Sequence, residues 1–226
     1  MNYNKLEHYV SQPRLNRYLV AVGNSKVKAQ KLYYANLEVA QSFYPVLSLF
    51  EVFFRNVCNY QVSAWFANPD WIIDEKDRFM SDKSLSRLNF YLKKSVCDVE
   101  RRIKKKGENV TAGKVFAEQS FRFWTSFFEP CHYRLIGGAV IHCFPNKPAN
   151  VNRRILNQKL DGIRGFRNQI YHNEPICFNG NNIDFSHVIK IKTEIYELLD
   201  WIDNDLSEYV KAFDTIDSKI DSANRI

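Results

Sequence analysis

Pro45-Val46-Leu47-Ser48-Leu49-Phe50-Glu51-Val52-Phe53-Phe54-Arg55-Asn56-Val57 is the stretch on which the fold turns. Its residues Val46, Leu47, Leu49, Phe50, Phe53, Phe54 and Val57 recur at helical spacing and make an apolar face wide enough for a central core helix. The helical pattern reaches upstream to Lys26 and downstream to about Phe66, kinked or divided near Pro45. Glu51 and Arg55 sit four apart inside it, as do Val52 and Asn56. Charges within so apolar a helix are costly when unpaired. They are expected to pair with each other or to point into a polar cleft.

Working outward, residues 3–10 and 13–22 read as short helices, with Pro13 suited to a first helical position. Asn68-Pro69-Asp70 closes the long helix, and an irregular stretch begins at Trp71. Further helices are expected over 84–106, 114–129, Leu135 to Ile141 and Asn152 to His172, and a final one capped by Asp184 or Ser186 has Val188, Ile191, Ile195, Leu198, Leu199 and Ile202 on one side. The chain holds only 8 Gly and 7 Pro, so breakers are few, and its 45% hydrophobic residues suffice for a packed core. The fold class is therefore all-α, as one domain over 1–213, with a polar and frayed end over 214–226.

The formal charge of +7 suits a polyanionic partner. Five scattered cysteines imply no disulfide framework and favour a reducing compartment. The first residues lack the layout of a signal peptide, and no uncharged run long enough for a membrane span is found. The expectation is a cytoplasmic chain with no membrane contact. Gly107 to Lys114 has the wrong spacing for a phosphate-binding loop, and no G-x-S-x-G elbow exists. The pairs Cys131-His132 and His142-Cys143 diverge on a helix and make a poor zinc site. Neither a metal nor another cofactor is expected.

The chemistry-bearing stretch is Arg164-Gly165-Phe166-Arg167-Asn168-Gln169-Ile170-Tyr171-His172-Asn173-Glu174-Pro175. Arg164, Asn168 and His172 recur every four residues and form one polar row, with Arg167 on its flank. Arg167 and His172 are five residues apart, about 7.5 Å of helical rise. Arginine offers a permanent charge to a phosphate, and histidine moves a proton near neutral pH. The bland alternative is a solvated helix end at which His172 caps carbonyls. The run Arg101, Arg102, Lys104, Lys105 and Lys106 is either an RNA-tracking patch or cations complementing a helix C-terminus.

Four segments together resemble a known family. Arg167-Asn168-Gln169-Ile170-Tyr171-His172 is similar to the R-N-x-x-x-H signature of HEPN-domain ribonucleases. Leu47 to Asn56 is similar to the L-x-x-L-E-x-x-x-R-N segment of Abi-like (AbiD/AbiF-type) abortive-infection proteins. Ser120-Phe121-Arg122-Phe123-Trp124 resembles that family's S-F-G-F-W, and Ile163 to Ile176 its I-R-x-x-R-N-x-x-x-H-x-E-P-I. The resemblance implies a HEPN-like helical bundle with additional N-terminal helices, dimerising so that two R-x4-H motifs meet. It also implies metal-independent RNA cleavage in an abortive-infection or toxin–antitoxin setting, with an antitoxin as a further partner. By the same resemblance, His172 would transfer protons, Arg167 would bind the scissile phosphate, Asn168 would orient His172 or the phosphate, and Arg164 would contact phosphate. Glu51, Arg55 and Asn56 would support the site, and Gly165 would admit a crossing backbone, that of the dimer mate. The alternative is a non-catalytic helical module of the same fold that binds RNA or protein.

Overall fold

The computed structural model describes residues 1–226, and helices take up most of them. In order these are α1 (Tyr3–Val10), α2 (Gln12–Ala21), α3 (Lys26–Phe66), α4 (Trp71–Asp74), α5 (Tyr91–Lys105), α6 (Ala112–Ala117), α7 (Phe121–Thr125), α8 (Pro130–Leu135), α9 (Arg153–Tyr171), α10 (Ser186–Ile202), α11 (Asn204–Lys211) and α12 (Ile216–Ala223). Short 3-10 turns fill Glu75–Leu88 and follow α7 and α8, and one two-stranded hairpin joins β1 (Phe178–Asn179) to β2 (Asn182–Ile183). The all-α expectation holds. Within the chain two compact units stand out. Unit 1 comprises Met1–Leu49, Gly165–Leu199 and Asn204–Ile226, and unit 2 comprises Phe50–Arg164 and Asp200–Asp203.

Helix α3 is continuous through Pro45. The proline has no N–H to give the Gln41 carbonyl, so one rung of the helical ladder is missing there. In unit 1, α3 buries Leu32, Val39, Phe43 and Val46, and α10 buries Val188, Ile191, Ile195, Leu198 and Leu199. Phe43 meets Phe166 of α9 edge-on, with ring centroids 4.8 Å apart. An 18-residue window of α3 has mean hydropathy 1.2, which by length and composition alone would cross a membrane. The sequence shows no uncharged run of that length because Glu51 and Arg55 interrupt it. Of that window 39% is buried inside the fold, and α3 buries Phe43, Phe50 and Phe54.

The end of the chain is not frayed. Ile216, Ile220 and Ala223 of α12 are buried, at a spacing of four and then three. Charged groups then fasten the helix. Lys192 of α10 bridges Asp214 at 2.9 Å and Asp217 at 2.7 Å, and the Tyr196 hydroxyl donates to Asp214 at 2.7 Å. Part of the polar composition of 214–226 thus serves ion pairing, Asp214 and Asp217 to α10 and Lys219 to Glu38 of α3.

Unit 2 has an aromatic core. Trp71 lies against Phe123, Trp124 and Phe127, and Phe54 against Phe121, Phe128 and Phe144. The helix expected over 84–106 is split, with 3-10 turns through Lys83–Leu88 and α5 starting only at Tyr91. Asn89 and Phe90 both have positive φ and break the helix between them. The helix expected over 114–129 is likewise divided into α6, α7 and a 3-10 turn. Instead of continuing from Leu135 to Ile141, the chain turns through Gly137 and Gly138, both in the left-handed region.

Candidate functional site

Helix α9 starts where Asn152 Oδ1 accepts the Arg154 N–H at 2.9 Å and the Ile155 N–H at 3.2 Å. It buries Leu156, Leu160, Ile163 and Phe166, so the polar row on its other side faces outward. At its far end the Glu174 N–H reaches the Gln169 carbonyl at 2.9 Å and the Asn173 N–H reaches the Ile170 carbonyl at 3.0 Å. Asn173 stands in the left-handed region at φ 53°, and Pro175 follows. This is a Schellman cap with asparagine in the usual glycine position. The cap carries a consequence for His172. The backbone itself satisfies two terminal carbonyls, so the imidazole is not needed as their cap and stands exposed.

The chain beyond the cap is anchored. The Ile176 N–H donates to Asn36 Oδ1 of α3 at 2.9 Å, and Asn36 is only 2% exposed. This bond ties the segment after His172 to the core of unit 1. On the N-terminal side of the cap, the Arg167 guanidinium lies 4.4 Å from the centroid of the Tyr171 ring. That cation–π contact holds the Arg167 charge over the Tyr171 ring. Asn168 is exposed, four residues before His172 and on the same face.

Beside these residues lies a groove of about 660 Å³. Its walls come from α3, with Gln41, Tyr44 and Pro45, and from the end of α9, with Ile170, Tyr171 and Asn173. Tyr44 is 65% exposed and Tyr171 57%. Both present flat faces of the kind on which unstacked bases lie. Sequence reasoning does not single out either tyrosine. The signal present in the sequence is Tyr171 inside the motif itself, whereas Tyr44 becomes relevant only once α3 and α9 come together.

The remaining expected residues are distributed as follows. Arg167, Asn168 and His172 share the end of α9 in unit 1, while Arg164 belongs to unit 2 and pairs with Asp161 at 2.8 Å. Glu51, Arg55 and Asn56 are half-buried in unit 2. Arg55 lies against an aromatic ring of α6. The Arg55 guanidinium sits 5.3 Å from the Phe116 ring centroid, with Nε buried and without a hydrogen-bond partner. Of the basic run, Arg101 pairs with Asp98 at 3.0 Å, and Arg102 and Lys106 share Glu118, each at 3.3 Å. Lys104 and Lys105 are exposed. Beyond its own helical turns, no atom of the chain lies within 4 Å of where a Cβ on Gly165 would stand. No backbone of this chain crosses there.

Two of the residues weighed as zinc ligands, His132 and Cys143, are otherwise engaged. His132 Nδ1 lies 2.9 Å from the Ser126 carbonyl, and the Cys143 thiol contacts that of Cys58 at 3.7 Å. No group of three His, Cys, Asp or Glu residues converges. Set against known proteins, the chain matches no family model, no curated protein and no solved structure.

Proposed function

We propose that the chain is a metal-independent endoribonuclease of the HEPN type, resembling Abi-like abortive-infection proteins and acting on RNA in the cytoplasm. The observation that carries the reading is the end of α9. There an exposed His172 follows a self-capped helix, and Arg167 stands against Tyr171 beside a groove of nucleotide size. Cleavage requires the ribose 2′-oxygen to bond to phosphorus while the P–O5′ bond breaks. A base takes the 2′-proton, an acid supplies a proton to the 5′-oxygen, and the equatorial oxygens gain charge. Arg167 supplies the charge that meets those oxygens, and Asn168 positions His172 or the phosphate. His172 performs one of the two proton transfers. A single copy offers one such histidine, and a homodimer with two motifs facing each other would offer both. The products are a 2′,3′-cyclic phosphate and a 5′-hydroxyl. Glu51, Arg55 and Asn56 act as supporting residues in this reading, and an antitoxin or regulatory RNA restrains the activity.

The test is direct. Purified wild-type and His172→Ala chains are incubated with total RNA in EDTA, and the new ends are mapped. Wild type should yield cyclic-phosphate ends, and both His172→Ala and Arg167→Ala should slow their appearance by about 10²–10⁴-fold. Mixing wild-type with His172→Ala chains should depress activity non-linearly if two copies complete one site. Equal scission by the variants would overturn the assignment. Salt-sensitive RNA binding without scission would instead identify a non-catalytic RNA-binding module.

A further inference from the structure

Helix α5 carries a second feature, independent of the histidine motif. Leu92, Val96, Val99 and Ile103 bury one face. On the other face Tyr91, Lys94, Arg101, Arg102 and Lys105 fall on one helical stripe and line a groove of about 890 Å³. The groove holds two acids, Asp98 and Glu118, and both are engaged, Asp98 by Arg101 and Glu118 by Arg102 and Lys106. Lys94 and Lys105 thus face the groove as surplus cations. At one end Arg122 lies 4.5 Å from the Tyr91 ring centroid, and the Tyr91 hydroxyl is 3.4 Å from Ser120 Oγ. This places a cation over an aromatic ring at the groove's edge.

We propose that this groove is a binding track for single-stranded RNA, in which Lys94, Arg101, Arg102 and Lys105 take successive phosphates and the Tyr91–Arg122 pair takes a base. The inference rests on RNA being the partner of the proposed ribonuclease, and it adds residues that the basic run alone does not contain. An acidic peptide would use the cations but has no need of an aromatic ring, whereas unstacked bases lie on tyrosine rings and arginine planes. The existing ion pairs do not oppose binding, because exposed pairs are weak and exchange readily for phosphate. Lys104 and Lys106 do not line the groove and take no part in the track.

The experiment uses the His172→Ala chain, so that the RNA stays intact, and a labelled single-stranded RNA of about 12 nucleotides titrated at several salt concentrations. Adding Lys94→Gln and Lys105→Gln should weaken binding more than tenfold and flatten the slope of log K against log salt by about 1.4, at about 0.7 for each phosphate no longer neutralised. Tyr91→Leu should weaken binding at least fivefold and leave the slope unchanged. These three positions lie at the helix surface, and a matched circular dichroism spectrum confirms folding. An unchanged slope in the double variant would overturn the track. So would stronger competition by polyglutamate or duplex RNA than by unlabelled single strand. If wild type cleaves RNA through His172 while the slope is unchanged, only the track fails. If the slope falls as stated while no His172-dependent cleavage occurs, the ribonuclease assignment fails and the track stands.

Discussion

Replacing Asn36 by alanine tests whether the segment after His172 is held by one buried hydrogen bond. Asn36 is 2% exposed and its Oδ1 is the acceptor for the Ile176 N–H at 2.9 Å. Ile176 is itself 4% exposed, so water does not readily replace the missing acceptor. Leaving a buried amide N–H unpaired costs about 1–3 kcal/mol. In a chain of this size each kcal/mol moves Tm by about 2–4 °C, so a central value of about 2 kcal/mol predicts a fall of about 4–8 °C. The assay combines thermal melting with amide hydrogen exchange at Ile176. Val39→Ala serves as the reference, since Val39 is fully buried in the same helix and its truncation should lower Tm without selectively exposing that amide. Asn36→Ala should do both. A melting temperature within about 1 °C of wild type, or an Ile176 amide that exchanges no faster than its neighbours, would refute the tether.

Two glycines should respond in opposite directions. A Cβ on Gly137, which has φ +56°, would lie 2.2 Å from the Trp65 ring. Gly137→Ala should therefore cost about 1–2 kcal/mol in backbone strain and swing Trp65 into water, seen as red-shifted fluorescence. Gly165→Ala adds a methyl to open helix surface and should stabilise by about 0.5–1 kcal/mol in a thermal melt. The seating of α12 should depend on pH at both extremes. Burial alone would raise Asp214, but hydrogen bonds from Lys192, the Ile216 N–H and Tyr196 outweigh it and hold the carboxyl below its usual range. Its contribution is present above about pH 3.9 and is lost as pH falls through the lower folded value. Burial alone would lower Lys192, but bonds to Asp217 and Asp214 leave it raised, so its contribution is present below about pH 10.4 and is lost as pH climbs through the folded value. Melting of wild type against Lys192→Met across pH should show the gap closing at both ends. Among the thiols, burial pushes Cys177 up to about 12, and burial followed by the Cys143 contact pushes Cys58 well up. Labelling with a thiol reagent should modify half-exposed Cys97 and Cys131 quickly and reach Cys58, Cys143 and Cys177 only on unfolding.

Long helices are legible in the sequence because their apolar residues repeat over many turns. Helices α3, α9 and α10 emerge from that repeat, and α9 also shows its stop in Asn173 and Pro175. The region from Trp71 to Leu88 is not legible, because 3-10 turns there follow the packing of Trp71 and Phe79 against residues such as Phe127, about fifty positions later. Helix α12 looks like a tail because its composition is polar, and the groups that hold it, Lys192 and Tyr196, lie on α10. The ring that Arg55 lies against is hidden from the sequence for a related reason, since Phe116 comes from α6, about sixty positions later. At the candidate site the motif marks Arg167 and His172. Tyr44, Asn36 and the Lys94–Tyr91 end of the α5 groove need three-dimensional neighbours to become visible.

The composition of unit 1 from three separate chain segments sets an order of events during synthesis. Met1–Leu49 leaves the ribosome well before Gly165–Leu199 and Asn204–Ile226, the segments with which it forms that unit. At about 5–20 residues per second the delay is on the order of 10 s, during which α1, α2 and the first turns of α3 lack their final core. Unit 2, nearly continuous over Phe50–Arg164, has no comparable wait. The Asn36–Ile176 tether and the groove beside Tyr171 can form only after that delay. A nascent chain therefore carries an incomplete groove until the Gly165–Leu199 segment has emerged, and nothing can occupy that groove before then.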